Sequence, residues 1–484
     1  MAKRGRRLSK HSENKWVILA LLALAQFMVV LDVAIVNVAL PSISRDLHFA
    51  ANDLQWVITA YTLTFGGFLL LGGRASDLYG RRKIFIGSIA AFSVASLVCG
   101  LSNSDTMLIV ARAVQGLAGA IMSPAALSIV LSEFKEGKER NKAMGVWAAV
   151  AAGGAAAGVL LGGVLTQYLN WRWNFFVNVP VGLFVVLAAL RLLPHHIGEE
   201  NKKLKLDLPG AVLVTGGLMS LVFGLSKAPQ NGWDSGTVWG FIAAGIILLA
   251  AFLFNEHKVK QPMMPLSIYK IRNVLGGNLA FLVIACTMFA MFFFLTLYVQ
   301  TVLGYSPVKS GLSFLPVTFI VATISGIVAS LVGKIGYKPP MVLGPLILAI
   351  GLYVISSTME AGGDYWHNVF PGLATAAAGM GLTFVSGTLA ATSGVPKHFS
   401  GLASGILNTS QQIGGAIGLA ILSAVAFSVI KTDMANQVSN AAAQVHGYRN
   451  GLHAGIGLAL AAAIVVLLVV KNQKVDAKEA MMGG

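Results

Sequence analysis

Residues 16–40 read WVILALLALAQFMVVLDVAIVNVAL, 25 consecutive positions with a single charged side chain, Asp32. A run of this length is enough to cross the roughly 30 Å hydrocarbon core of a bilayer as one helix. It continues past the length of a signal-peptide core and shows no small-residue cleavage site before Asp32, so it reads as a retained transmembrane helix. Comparable runs follow at 55–71, 84–101, 106–131, 143–165, 175–192, 208–226, 237–254, 274–297, 311–332, 341–358, 369–393, 402–430 and 452–470, which makes 14 expected spans. The composition agrees. Of 484 residues, 56% are hydrophobic and 11% charged, whereas soluble domains carry roughly 25% charged residues. Because lipid cannot satisfy backbone polar groups, such a chain is expected to be an all-α integral membrane protein.

A net charge of +16 would suggest nucleic acid in a soluble protein. Here the basic residues sort by loop. With the N terminus inside, 28 of the 35 Lys and Arg fall on cytoplasmic loops, six fall outside (Arg45, Arg172, Lys227, Lys309, Lys431 and Arg449), and Arg112 stands within a helix. Cytoplasmic loops retain positive charge during insertion. Both termini are therefore expected in the cytoplasm, and no nucleic-acid partner is needed, although the basic tail could touch anionic lipid.

Polar stretches at 194–206, holding His195, His196, Glu199 and Glu200, and at 255–273 bracket one pair of helices. They divide the chain into a basic tail (1–15), a six-helix bundle (16–192), an inserted helix pair with its flanking loops (193–273), a second six-helix bundle (274–470) and a second tail (471–484). Transporters are often built from repeats, and two echoes fall at corresponding places. GGRASDLYGRRK (72–83) joins the second and third helices, and GKIGYKPP (333–340) joins their counterparts. Glycines cluster in the fifth helix (Gly153, Gly154, Gly158, Gly162, Gly163) and in the thirteenth (Gly401, Gly405, Gly414, Gly415, Gly418). Cys99 and Cys286 lie in separate apolar helices and read as packing residues.

Four motifs carry chemistry. In LDVAIVNVALP (31–41) Asp32 lies past the membrane midplane with Asn37 on the same helix, and a carboxylate at that depth is costly unless paired or functional. An acid near a helix end, reaching interfacial water, is the competing account. In the loop after the second helix, Gly73 opens the motif and Gly80 permits a tight turn. Asp77 can cap a helix or pair with arginine, and Arg81, Arg82 and Lys83 hold the cytoplasmic face. ARAVQGLAGA (111–120) sets Arg112 and Gln115 three apart on one face of the fourth helix. A guanidinium inside lipid needs a partner, and Asp32 is the one acid expected deep within a helix. GGAAAGVLLGGV (153–164) spaces glycines every fourth position, which lets another helix approach closely; ordinary packing would explain these residues equally well.

In this order and in these helices, the four motifs resemble the major facilitator superfamily. The closer resemblance is to its fourteen-helix drug/proton antiporter branch, the multidrug and quaternary-ammonium efflux pumps. WRWNFFVNVPVG (171–182) and DLPGAVL (207–213) add to a resemblance that covers nearly the whole chain. The matched positions are Asp32, Asn37, Gly73, Asp77, Gly80, Arg81, Arg112, Gln115, Gly154, Gly158, Gly162 and Gly163. Ala34 departs from the usual threonine, and Val159 from the usual proline of the antiporter motif. The resemblance implies the major facilitator fold and alternating access between two six-helix bundles, with the basic loop locking one face. It also implies proton-driven export of small lipophilic compounds across the inner (cytoplasmic) membrane by a monomer, with no cofactor.

The residues supply a coupling chemistry. A proton and Arg112 exclude one another on Asp32, and a cationic drug would compete for the same carboxylate. Lipophilic monocations are therefore the expected substrates, with Asp32 the sole proton carrier, since no acid is expected deep in the last six helices. For the cavity, Phe289, Phe292, Phe293 and Tyr298 in TMFAMFFFLTLYVQ (287–300) offer ring faces to a cation. Asn37, Tyr61, Gln115, Asn408, Gln411 and Gln412 offer polar groups that avoid lipid. Core packing and interhelix hydrogen bonds are the plainer alternatives for both sets. No GxxxxGK[ST], HExxH or GxSxG segment occurs, which argues against an ATP-driven pump and a membrane-embedded enzyme. Nor is there a repeated filter-like segment to suggest a channel. His367, His446 and His453 show no ligand spacing, so no metal is expected. A dedicated exporter of a metabolite, peptide, amino acid or lipid on the same fold is the alternative.

Overall fold

The computed structural model describes residues 2–50, 53–134, 138–193, 206–395 and 400–474. Its helices are α1 Ala2–Asp46, α2 Trp56–Tyr79, α3 Arg81–Gly100, α4 Asp105–Glu133, α5 Lys138–Tyr168, α6 Trp173–Phe176, α7 Asn178–Leu192, α8 Leu208–Asn231, α9 Gly236–Lys258, α10 Arg272–Leu297, α11 Pro307–Ile335, α12 Lys338–Thr358, α13 Tyr365–Asn368, α14 Phe370–Thr392, α15 Ser400–Ala435 and α16 Asn440–Val469. Among the described residues 13 helical segments are long and apolar enough to cross a membrane. The 31-residue α5 stands between the fourth and fifth of them. Both α1 and α15 run beyond the apolar cores seen in hydropathy, because a helix does not stop where its side chains turn polar. The polar stretch with His195, His196, Glu199 and Glu200 lies outside the described residues, as do Lys135, Lys397 and residues 475–484.

The helices pair by one plan used twice. In the first half α1 packs on α5, α2 on α4, and α3 on both α4 and α7. In the second half α10 packs on α15, α11 on α14, and α12 on both α14 and α16. The halves meet where α2 lies against α15 and α5 against α11, the second helix of each against the fifth of the other. Gly80 (φ 91°) and Gly336 (φ 80°) make the turn between second and third helices in the two halves, a backbone region that glycine enters freely.

Glycines also set the closest helix pair of each half. A Cβ on Gly158 would lie 2.7 Å from Ala34 Cβ, one on Gly162 would lie 2.7 Å from the Ile35 carbonyl oxygen, and Gly154 faces Phe27 and Val30. Gly414 and Gly418 press against Leu282 and Cys286 of α10 in the same manner. Close packing is thus what Gly154, Gly158 and Gly162 do here. Gly163 points the other way, toward Pro307 of α11 across the contact between halves. With valine at 159 where the resemblance would have proline, α5 runs as one helix from Lys138 to Tyr168.

The inserted helices α8 and α9 pack on each other, and α8 also rests on α2 and α15. Their base holds two acids that hydropathy had placed in loops. Asp207 and Glu256 are both buried, so Asp32 is not the only enclosed acid. They are enclosed because the segment after α9 folds back over them: Met264 N–H donates to Glu256 Oε2 at 2.8 Å, and Arg74 donates to the carbonyls of Gln261 and Pro262. Asp207 caps α8 through the Gly210 N–H (2.9 Å) and accepts the Asn255 amide on both oxygens. Burial pushes the Asp207 carboxyl up, but the Asn255 amide and the Gly210 N–H outweigh it and hold the group below the usual carboxylate range.

Candidate proton site and substrate cavity

Asp32, in the C-terminal half of α1, is fully buried, and Arg112 from α4 is 1% exposed. Arg112 Nη1 donates to Asp32 Oδ2 at 2.5 Å. Asp32 Oδ1 accepts two amides, from Gln115 Nε2 and Asn178 Nδ2, each at 2.8 Å. Both amides also donate to Ser96 Oγ, whose hydroxyl donates in turn to the Phe175 carbonyl at 2.9 Å. Gln115 Oε1 accepts from Arg112 at 2.7 Å and faces Cys99 Sγ at 3.6 Å, which fixes the amide's orientation. Arg112 Nε is held by the Val57 carbonyl at 3.0 Å. Every group facing the carboxylate is therefore a donor, and the cluster is built for the ionised acid. The further donors on the carboxylate offset part of the cost of burying the pair.

A cavity of about 460 Å³ lies beside this cluster, between the two halves. From α1 it is lined by Val29, Val30, Val33, Ala34, Asn37 and Val38. Asp32 is not on the wall: at about 100° per residue it sits about half a turn away, facing α4. The expected meeting of substrate and carboxylate on one surface is therefore absent, because helical periodicity separates them. Tyr61 belongs to both places. Its ring lies 4.3 Å from Arg112 Cζ and also lines the cavity, where its buried hydroxyl has no protein partner.

Of the other candidates, Asn37, Phe289, Phe292, Asn408 and Gln411 line the cavity, together with Gln412. Gln115 sits in the Asp32 cluster instead. Tyr298 is elsewhere: it opens a π-helical turn, Tyr298–Val302, and its hydroxyl donates to the Glu360 carbonyl (2.8 Å) and accepts from the Glu360 N–H (3.2 Å). Phe293 is buried against Phe294. Asn178, Ser96, Gln26 and Ser123 were not singled out from the sequence. Asn178 carried a usable signal, an amide inside the apolar run after Trp173, whereas a serine in a membrane helix is too common to mark anything.

Arg81 and Arg82 of the basic loop are fastened within the first half, whereas Arg74 reaches the segment after α9. Arg81 pairs with Asp77 at 3.1 Å and reaches the Ser128 carbonyl at 3.4 Å, while Arg82 donates to the Leu190 carbonyl at 2.9 Å. Gly73 has only Pro124 Cβ near it, at 3.8 Å from an added Cβ. At the opposite end the halves are joined directly: Gln300 Nε2 donates to the Val38 carbonyl at 2.8 Å, and the Val308 N–H donates to Gln167 Oε1 at 3.2 Å.

Residues 22–419 match the family described as Major Facilitator Superfamily. The chain is 37% identical over 475 residues to a puromycin resistance protein of Streptomyces alboniger, covering 96% of this chain and 93% of that one. It is 38% identical over 406 residues to a cephamycin export protein of Amycolatopsis lactamdurans, covering 84% and 83%. Among solved structures it is similar to a transporter of the POT family (TM-score 0.68, 16% identity, 98% and 99% covered). It is also similar to an inward-facing bacterial homologue of the human lysosomal transporter Spinster (TM-score 0.66, 17% identity, 94% and 97% covered). At those identities the structural likeness is one of fold. The repeated helix plan, the family match and the relatives agree: the chain belongs to the major facilitator superfamily and is a multi-pass membrane transporter.

Proposed function

We propose that this chain exports small lipophilic compounds from the cytoplasm in exchange for protons, with Asp32 as the proton carrier and Arg112 as its counter-ion. The observation that carries the reading is the place of Tyr61, stacked on Arg112 on one side and lining the cavity on the other. Relatives that confer resistance to, or export, antibiotics support the direction of transport. The distribution of basic residues supports an orientation with the Gly80 end in the cytoplasm of the host cell's inner membrane. The end joined by Gln300 and Gln167 is then the outer one. Residues 16–192 and 274–470 act as the two rocking bundles, with the inserted pair at 193–273 between them, and one chain suffices.

The mechanism follows from the donor-only shell of Asp32. A proton arriving on either oxygen finds no acceptor, so at least one hydrogen bond must break. Protonation also removes the charge that holds Arg112. Freed on that side, the guanidinium remains bound to the Val57 carbonyl of α2 and lies over Tyr61 of the same helix. The change in charge is thereby passed to the helix that meets α15 across the contact between halves. Driving such a cycle is within reach of the proton gradient, since each charge crossing 100 mV is worth about 2.3 kcal/mol.

Expression in a bacterial host stripped of its own efflux pumps tests both parts. Resistance to lipophilic antibiotics should rise, and Asp32→Asn at equal protein level should return it to background. Resistance that survives Asp32→Asn overturns the proton assignment; absence of resistance across a broad panel overturns the export reading.

A further inference from the structure

We propose that the central cavity selects net-uncharged compounds rich in hydrogen-bonding groups, and that permanently cationic compounds of equal size are its poor substrates. The inference rests on the export reading above and names the substrate class of that site. Among the described residues lining the cavity none is Asp, Glu, Lys, Arg or His. Its polar groups are neutral, and several have no protein partner. Asn408, Gln411 and Gln412 stand at i, i+3 and i+4 on α15, hence on one face, and their side-chain amides face the cavity without a hydrogen bond. Tyr61 of α2 lines the same cavity and has a buried hydroxyl without a protein partner. Each amide offers two donors and an acceptor, so the set matches carbonyls, hydroxyls and amides in many arrangements.

The apolar remainder, with Phe65, Phe289, Phe292 and Phe314 on the wall, suits a lipophilic skeleton. A fixed cation placed here gains ring faces but no counter-charge. The Asp32 carboxylate is absent from the cavity wall, paired with Arg112 and hydrogen-bonded by the Gln115 and Asn178 amides. Desolvating a full charge costs more than stacking on aromatic faces returns, whereas a neutral polar group recovers its desolvation through the free amides. A tertiary amine can enter by leaving its proton in water; a quaternary ammonium cannot.

The test uses inside-out membrane vesicles containing the full chain, with the membrane potential collapsed so that charge does not alter the driving force. The probes are two fluorescent compounds on one aromatic skeleton, one carrying a dimethylamide and the other a trimethylammonium group at the same position. The amide should be transported at least about tenfold better in kcat/KM, a discrimination ordinary for a single substituent in a fitted site. Gln411→Glu, and separately Asn408→Asp, put a carboxylate on the wall and should raise transport of the cation by a similar factor while lowering that of the amide. Equal or faster transport of the cation by the wild type, or no gain in either variant, overturns the selectivity alone. If neither probe nor any compound of a broad panel is moved, the export reading falls, and this inference with it.

Discussion

The two halves of the molecule share a packing plan and differ in what they enclose. In the first half Gly158 presses on Leu31, and the next residue of α1 is Asp32; in the second, Gly418 presses on Cys286, and the next residue of α10 is Thr287. Asp32 gathers Arg112, Gln115 and Asn178. Thr287 is buried too, but its hydroxyl meets only the carbonyls of Val283 and Gly455, at 3.5 and 3.4 Å. Among the described residues of 274–470 no charged side chain is buried. The glycine spacing sets how closely the first and fifth helices of a half approach, and the neighbouring residue then decides whether that half encloses an ion pair or merely packs. One half thereby encloses the Asp32–Arg112 ion pair, and the other contributes the amide face of the cavity.

This comparison can be broken in several ways, and the largest effect is expected at Arg112. Arg112→Ala leaves a buried carboxylate without its counter-ion and should cost about 3–5 kcal/mol, read as a lower thermal unfolding midpoint in detergent. Thr287→Val should cost at most about 1 kcal/mol, the net worth of an ordinary hydrogen bond. Equal losses at the two positions would contradict the asymmetry. Next comes Asn178→Ala, which removes one donor from Asp32 Oδ1 and should cost about 1–3 kcal/mol while leaving substrate binding in the cavity unchanged. A variant that binds substrate more weakly without loss of stability would place Asn178 on the substrate path instead. Gly158→Ala and Gly418→Ala should both destabilise, by about 1–3 kcal/mol, as overpacked contacts do; a loss in only one of them would deny the shared plan. The smallest effect is expected for Gly73→Ala, within about 0.5 kcal/mol, because an added Cβ there meets only Pro124 at 3.8 Å.

Much of this was legible in the sequence because lipid imposes simple rules. Apolar runs of fixed length marked the helices, and a carboxylate and a guanidinium with nowhere else to go marked each other as partners. The turn at Gly80 and its echo at Gly336 were readable for the same reason, since each interrupts long apolar stretches. What escaped was direction around a helix. The alternation of residues in α1 could have shown Asp32 about half a turn from Asn37 and its cavity neighbours, yet which side faces the cavity depends on where α4 lies, and that is tertiary information. Tyr298 misled for a related reason: Phe289 and Phe292 of the same stretch are on the wall, while a π-helical turn carries Tyr298 to the backbone of Glu360. Asp207 and Glu256 were hidden because a loop that reads as polar folds back to bury them.

The central claim is that proton binding at Asp32 and substrate binding in the cavity are separate events joined through Arg112 and Tyr61. Proteoliposomes holding wild-type or Asp32→Asn protein measure this directly, by comparing substrate exchange at equilibrium with uphill transport driven by a pH gradient. The account predicts that Asp32→Asn keeps substrate exchange and loses gradient-driven accumulation. Accumulation that persists in Asp32→Asn, or loss of exchange along with it in a folded protein, would contradict it.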